Sequence, residues 1–494
     1  MVSFSPIQTS MIQAPVITPQ AASFAYDAVD GQAGKRKAPT GILRSEDAEL
    51  PPERRKLLVS QTRDLHRNFA VAGWMIRQHL NYVASFVFEA KTEVDGKPDE
   101  VFNDQLETCM RNWSVASQCD IAKRMSLMQI LRTLECRASL DGDCGLLKIR
   151  SGRLQGIEGD RVRTPYGGIP ADLRIVPENV MHGIETDGSN AAVSYLVCRR
   201  SRASDIGSTF QNFQFERRVM ARDMLWHGYF DRFDQVRGIP PITPAVNVMI
   251  DLYEGMDYAL ARMKVEQLLG LFIKRGAIDG GTDDEDPTDY SKIRLGKQPF
   301  TLVGDPGDEA EFLSSSNPSM QFQAFIQWLM QICLKCFDIP FSFFSENFTN
   351  YSGARQAWLQ YDISCEPKRS ALRDVLNQIT AWIVEIWMQD GLLPRRPIES
   401  IKWDWVSVGM PWIDPLKEVQ GDLSALSGAL DSRTDICRRS GRNWRDIARK
   451  LSAENAFLAK LGLPVAITPD AALVQAMLTE ASSTQTEAPA NAAV

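Results

Sequence analysis

HGYFDRFDQVRGIPPITPAVNVMIDLYEGMDYALARMKV, residues 227–265, carries the change of texture on which the fold turns. Before it, the chain runs in short apolar pieces broken by Gly, Pro, Asn and Asp. After Pro244 it continues to about Gly270 with no further proline. Thr243 followed by Pro244 has the form of an N-cap and a first-turn proline. A helix from that point spans about 40 Å at 1.5 Å per residue.

Toward the N-terminus, LLKIR, RLQGIE, LRIVPENV, AVSYLVCRR and FERRVMARDMLWHGYF read as strands of a mixed α+β domain that ends near Tyr229. Helical spacing is predicted over residues 53–88, where Leu57, Leu58, Leu65, Phe69, Trp74, Ile76, Leu80, Val83 and Val87 recur, and again over 99–113 and 126–140. Residues 1–52 are poor in large apolar groups and are expected to be mobile, as is 481–494. The basic cluster Lys35, Arg36 and Lys37 is expected to be solvated.

Toward the C-terminus, DGGTDDEDPTDY (279–290) is an acidic loop without the register of an EF-hand, followed by short strand-like pieces. A second long helix is expected after Asn317 and Pro318. Phe322, Phe325, Ile326, Leu329, Cys333, Cys336 and Phe337 fall on one side of it, with Gln323, Gln327, Gln331 and Lys335 on the other. Ile339 and Pro340 stop it, and FSFFSENFTNYSG leads to a third helical stretch, 353–390, which Pro367 is expected to kink or break. IKWDWVSVG is a short stretch beyond Pro394. Helices are predicted over 415–430, 434–440 and 443–461, and no internal repeat is present.

The 494 residues, 44% hydrophobic, suffice for a sizeable core in two to four folding units. With 55 basic and 62 acidic residues the formal charge is −7, so the whole-chain field repels nucleic acid at long range and any DNA contact is local. Nine scattered cysteines without a secretory leader fit a reducing compartment. No stretch is long and apolar enough to span a membrane, so neither export nor insertion is expected. The sequons at Asn347 and Asn350 read as polar loop residues.

The chemistry of common nucleic-acid enzymes is missing. No glycine-rich cradle followed by Lys and Ser or Thr surrounds a phosphate: the Gly34–Lys35 and Gly296–Lys297 pairs lack the rest of the pattern. The four histidines, His66, His79, His182 and His227, have no zinc spacing. Cys333 and Cys336 are one turn apart on a helix, with no second pair to complete a metal site, and read as core positions. Asp141 and Asp143, like Asp283 and Asp286, read as solvated turn residues. No catalytic residue, metal ligand or cofactor is assigned.

Four strings, in order, resemble the lambda-type tailed-phage portal proteins over roughly residues 54–463. They are SQTRDLHRNFAVAGWMIRQHLNYV (60–83), QILRTLECRASLDGDCGLLKIRSGRLQGIEGDRV (129–162), the stretch 227–265 with its Q-x-R-G-x-P signature, and FDIPFSFFSENFTNYSGARQAW (337–358). Gly353 stands where many relatives carry Ser. The resemblance implies an α+β, mainly helical portal fold with wing, stem, clip, tunnel-loop and crown regions, assembled as a twelve-subunit ring at a capsid vertex of the virion. It implies no enzyme activity. Its implied partners are double-stranded DNA held without sequence specificity, the terminase large subunit, the major capsid protein and a head-tail adaptor; no membrane is involved, and assembly is in the host cytoplasm. A gene-transfer-particle portal or another connector ring is the alternative, and a packaging nuclease or ATPase the rival from another class.

Carried onto this sequence, 53–242 corresponds to the wing, 243–270 to a stem helix, 271–316 to the clip, 317–338 to the second stem helix and 339–352 to the tunnel loop. Residues 353–414 give a long wing helix and its return, and 415–480 the crown. Twelve copies carry about 12 × −7, or about −84 charges, so a sliding duplex meets repulsion instead of counterion-releasing grip. Gln323, Gln327, Gln331 and Lys335 are candidate channel residues, or alternatively pack on a neighbouring subunit. Ser345, Asn347, Thr349 and Asn350 are candidate phosphate contacts, or alternatively helix caps. Phe322, Phe325, Leu329 and Phe337 are candidate subunit-interface residues. Phe341, Phe343, Phe344 and Phe348 are expected to anchor the loop.

Overall fold

The computed structural model describes Tyr26 and residues 43–165, 168–200, 213–268, 272–274, 309–311, 320–346, 351–408 and 415–462. A turn, α1 (Glu46–Glu49), is pinned by the buried carboxylate of Asp47, which accepts from the backbone N–H of Val236 at 2.7 Å and of Arg237 at 3.2 Å.

The helix predicted over 53–88 is two helices and a strand: α2 (Pro52–Asn68), α3 (Ala70–Val83) and β1 (Phe86–Ala90). The break falls at Phe69, whose backbone is extended (φ −108°, ψ 110°) and whose buried ring meets Tyr253 edge-on at 5.6 Å. One extended residue re-aims the chain, so that Leu58 and Leu65 on one side and Met75, Ile76 and Val83 on the other share a core. A hairpin, β2 (Glu93–Val94) and β3 (Lys97–Pro98), turns at Asp95 and Gly96, both at positive φ.

α4 (Glu100–Trp113) starts at Asp99, whose side chain accepts from Phe102 N–H. The turn α5 (Ala116–Cys119) follows, and α6 (Leu127–Asp141) opens with a capping box between Ser126 and Gln129. α6 ends at Gly142, at φ +93°, where a Cβ would lie 2.2 Å from the carbonyl oxygen of Gly238; only glycine fits.

Two antiparallel sheets come next. β4 (Asp143–Ile149) lies between β5 (Arg153–Glu158) and β10 (Met224–Gly228). β6 (Val180–Met181), β7 (Ile184–Thr186), β8 (Ala192–Arg200) and β9 (Phe213–Met220) form a meander. Leu147, Ile157, Val162, Tyr195, Val197 and Met224 pack into a second, smaller core shared by the two sheets.

α7 (Val246–Leu268) is led in by a 3-10 turn, Thr243–Ala245. Thr243 does not cap it as expected: its hydroxyl donates to the Pro240 carbonyl at 2.6 Å, so the chain enters through the tighter turn. β11 (Phe272–Lys274) pairs with β12 (Glu309–Glu311), and α8 (Met320–Leu334) closes with a 3-10 turn ending at Phe337. Asp338, at φ +59°, reverses the chain into α9 (Phe341–Ser345).

α10 (Tyr351–Gln389) is one 39-residue helix that runs through Pro367 without a break. Its middle is held from outside. Arg369 donates to the Tyr82 carbonyl at 2.9 Å, and Leu372, Leu376, Ile379 and Ile383 sit in the main core, which outweighs one lost backbone hydrogen bond. β13 (Trp403–Ser407) returns to pair antiparallel with β1, from Phe86 opposite Ser407 to Ala90 opposite Trp403. α11 (Pro415–Ser427), α12 (Arg433–Arg439) and α13 (Trp444–Lys460) complete the described chain. Arg438 on α12 ties to Asp404, and Arg449 on α13 to Asp104.

Candidate functional site

α7 and α8 pack against each other and, among the described residues, are rooted in the main core at one end only. In α7 the buried positions Val246, Met249 and Leu252 lie in the first two turns; in α8 they are Cys333 and Leu334, at the end. α7 leaves the core and α8 returns to it, so the two are antiparallel. From Tyr253 to Lys264, and from Met320 to Ile332, no residue is buried.

Among its polar residues, this outer half presents two apolar stripes. Tyr253, Met256 and Leu260 are exposed at i, i+3 and i+7 on α7, and Phe325, Trp328 and Ile332 at the same spacing on α8. Phe325 and Trp328 are 52% and 56% exposed, with ring centroids 6.2 Å apart. Beside this stripe, Gln323, Gln327, Gln331 and Lys335 are all exposed.

The apolar face expected on α8 is therefore two faces. Phe322, Ile326 and Leu329 turn toward their own chain and are half-buried, whereas Phe325 points away. Phe337 is a correction. It is fully buried in its own protomer, its ring 4.7 Å from His79, and has no surface to offer a neighbouring copy. The stripe residues on α7, with Trp328 and Ile332, were missed by sequence. Their spacing alone does not distinguish a face turned inward from one left bare.

Ser345 is exposed at the end of α9; Asn347, Phe348, Thr349 and Asn350 lie outside the described residues. The expected loop holds a helical turn, because three phenylalanines fasten it. Phe344 meets Trp74 at 5.3 Å, and Phe343 meets Trp358 at 5.4 Å and Tyr361 at 5.5 Å.

Two polar knots support this base. Asp141 and Asp143 are buried, not solvated as expected. Asp143 takes a bidentate grip from Arg237 at 2.7 and 2.8 Å, a third contact from Arg55 at 3.1 Å and the N–H of Gly238 at 2.7 Å. Burial pushes its carboxyl up, but Arg237 and Arg55 bring it below the usual range. The remaining donors of Arg237 go to the carbonyls of Val162, His182 and Gly159. Asp141 is held bidentately by Arg63 at 2.8 and 2.6 Å.

The second knot joins residues far apart in sequence. Glu135 accepts from His79 at 2.7 Å, His227 at 2.8 Å and the Tyr229 hydroxyl. Burial opposes its charge, yet the two histidine hydrogen bonds hold the carboxyl well below its ordinary value. No group of His, Cys, Asp and Glu among the described residues has the arrangement of a metal site. Burial pushes the Cys333 thiol up to about 12 and Cys336 to about 11, the opposite of an activated redox pair.

The D-G-D string at Asp141–Asp143 and the Q-V-R-G string at Gln235–Gly238 are thus one interlocked unit, with Gly142 and Gly238 in backbone contact. The family described as phage portal protein, lambda family, matches residues 35–368, two thirds of the chain, and includes this unit and the α7–α8 pair. The chain belongs to the lambda family of phage portal proteins. A probable portal protein of Halomonas phage phiHAP-1 is 22% identical over 421 residues, spanning 79% of this chain and 77% of the relative. Two solved structures are similar at 13% and 14% identity: the neck of an empty gene transfer agent particle computed with C6 symmetry, and the neck of a native one computed with C12 symmetry. They cover 77% and 78% of this portal protein, and 94% and 93% of their own chains, with TM-scores of 0.45 and 0.42.

Proposed function

We propose that this portal protein works as one subunit of a closed ring, twelve-fold as the family resemblance implies, whose axial channel passes double-stranded DNA into and out of a capsid. The observation that carries the reading is the outer half of α7–α8. Two exposed apolar stripes on one protomer need cover, and a head-to-tail contact repeated by rotation covers two different faces of every copy at once. An aromatic side chain buries roughly 150–250 Å² in all, and about half of that is still exposed on each of Tyr253, Phe325 and Trp328, so these dominate such a contact.

With the aromatic stripe turned to a neighbour, the adjoining Gln323, Gln327, Gln331 and Lys335 face the channel. Uncharged amides let a polyanion slide, because only neutralised phosphates release counterions and strengthen binding. In this reading the domains are those of the family: wing 53–242, stem helices 243–270 and 317–338, clip 271–316, tunnel loop 339–352, the long helix and return 353–414, and crown 415–480. The ring stands at a virion vertex in contact with the major capsid protein, and takes the terminase large subunit and later the head-tail adaptor at its clip. Its role is structural, with no catalytic step.

The test is Phe325→Asp with Trp328→Asp. Purified double variant is expected as soluble protomer by size-exclusion chromatography and negative-stain microscopy, where the unmodified chain gives rings. Normal rings from the double variant refute the proposal.

A further inference from the structure

A cleft of about 470 Å³ lies between α2 and the strand ends of the second core, remote in sequence from the α7–α8 face. Seven cationic side chains line it against two carboxylates, on a chain whose net charge is −7. Such a local reversal of sign marks a site for an anion.

The cations fall into three sets. Arg55 and Arg237 form the floor and are spent on Asp143 and on backbone carbonyls. Arg63 and Arg200 form the walls. Arg63 grips Asp141 and reaches Asp160, and Arg200 bridges Glu158 and Asp160 with its side chain 40% exposed. Lys56, Arg67 and Arg163 have no carboxylate partner among the described residues. The Arg163 guanidinium is held 4.5 Å over the ring of Phe213, so it is positioned before any ligand arrives.

We infer that this cleft binds an acidic peptide segment of a partner protein, with its carboxylates on Lys56, Arg67 and Arg163. Arginine forks suit carboxylate and phosphate alike, so shape decides between them. The cleft has room for a few side chains. Duplex DNA, with a persistence length of about 50 nm, cannot bend its backbone into such a volume and would lie across the mouth. The acids on the wall point the same way. Asp160 gives Oδ2 to Arg63 and Arg200, while its Oδ1 is buried without a donor. Oδ1 is therefore an acceptor in the lining that still needs an N–H, which a peptide backbone supplies and a phosphodiester backbone does not. The described lining residues all belong to one protomer, so this inference does not rest on the ring proposal.

A fluorescein-labelled oligoglutamate peptide, read by anisotropy on the full chain, tests it. The triple variant Lys56→Glu, Arg67→Glu, Arg163→Glu is expected to lose at least about tenfold in affinity. It is also expected to gain binding of an oligolysine peptide of equal length, which structural damage would not produce. If the triple variant melts lower than the parent, Arg67→Glu alone, at an exposed helix position, provides the comparison and is expected to weaken binding. Equal oligoglutamate affinity of variant and parent overturns the inference, as does no binding to the parent at about 1 mM peptide. Displacement of the peptide by a short DNA duplex at equal charge concentration overturns it in favour of a nucleic-acid site.

Discussion

The knot around Asp143 and the outer half of α7–α8 differ in how far each satisfies itself. In the knot, every donor of Arg237 has an acceptor and the carboxylate of Asp143 has more donors than oxygens. On α7–α8, four aromatic side chains, Tyr253, Tyr258, Phe325 and Trp328, stand more than half exposed. Both regions fall inside the matched family segment, yet only the second has anything left to offer another molecule. Signature strings that fold back on each other serve the protomer; residues that stay unsatisfied are, in the proposed ring, those that serve the assembly.

The sharpest way to break this contrast is to unpair the knot. Arg237→Ala leaves Asp143 buried with Arg55 as its one remaining charge partner, and is expected to cost on the order of 3–5 kcal/mol in urea denaturation. A loss under about 1 kcal/mol would mean that the knot is not what holds this region together. The Phe325→Asp, Trp328→Asp pair is the converse: rings are lost while protomer stability shifts by no more than about 0.5 kcal/mol per substitution.

A smaller effect separates the two knots from each other. Because Glu135 has its folded value below the ordinary 4.5, its stabilising contribution is fully present above about pH 4.5 and is lost as pH falls further. Glu135→Gln is therefore expected to flatten the acid limb of the stability curve, and parallel limbs for parent and variant would count against the assignment. Least of all, Lys335→Glu is expected to leave stability and rings untouched and to lower DNA retained per particle. Unchanged genome content would remove Lys335 from the channel.

Local signals in the sequence carried far. Asp99, and Ser126 with Gln129, start their helices as capping chemistry dictates, and the three C-terminal helices fall within a few residues of their expected bounds. Signals that depend on distant partners were not legible. Phe69 breaks a periodic helix because Tyr253 waits for it, and Asp143 looked like a solvated turn until Arg55 and Arg237 enclosed it. His79, Glu135 and His227 converge across the chain, which spacing within one helix cannot reveal. In the same way the periodicity of α8 identified apolar positions without saying which its own chain would cover, hence the correction at Phe337.

The pairing of β1 with β13 has a consequence during synthesis. Phe86–Ala90 leaves the ribosome more than three hundred residues ahead of the segment that completes its ladder. From the synthesis of α8 until that segment emerges, an open strand edge and the aromatic stripes of α7 and α8 coexist on one nascent chain, the combination that invites promiscuous association. A polypeptide cut short before Trp403 lacks the strand that closes that edge, so only translation to the far end covers it.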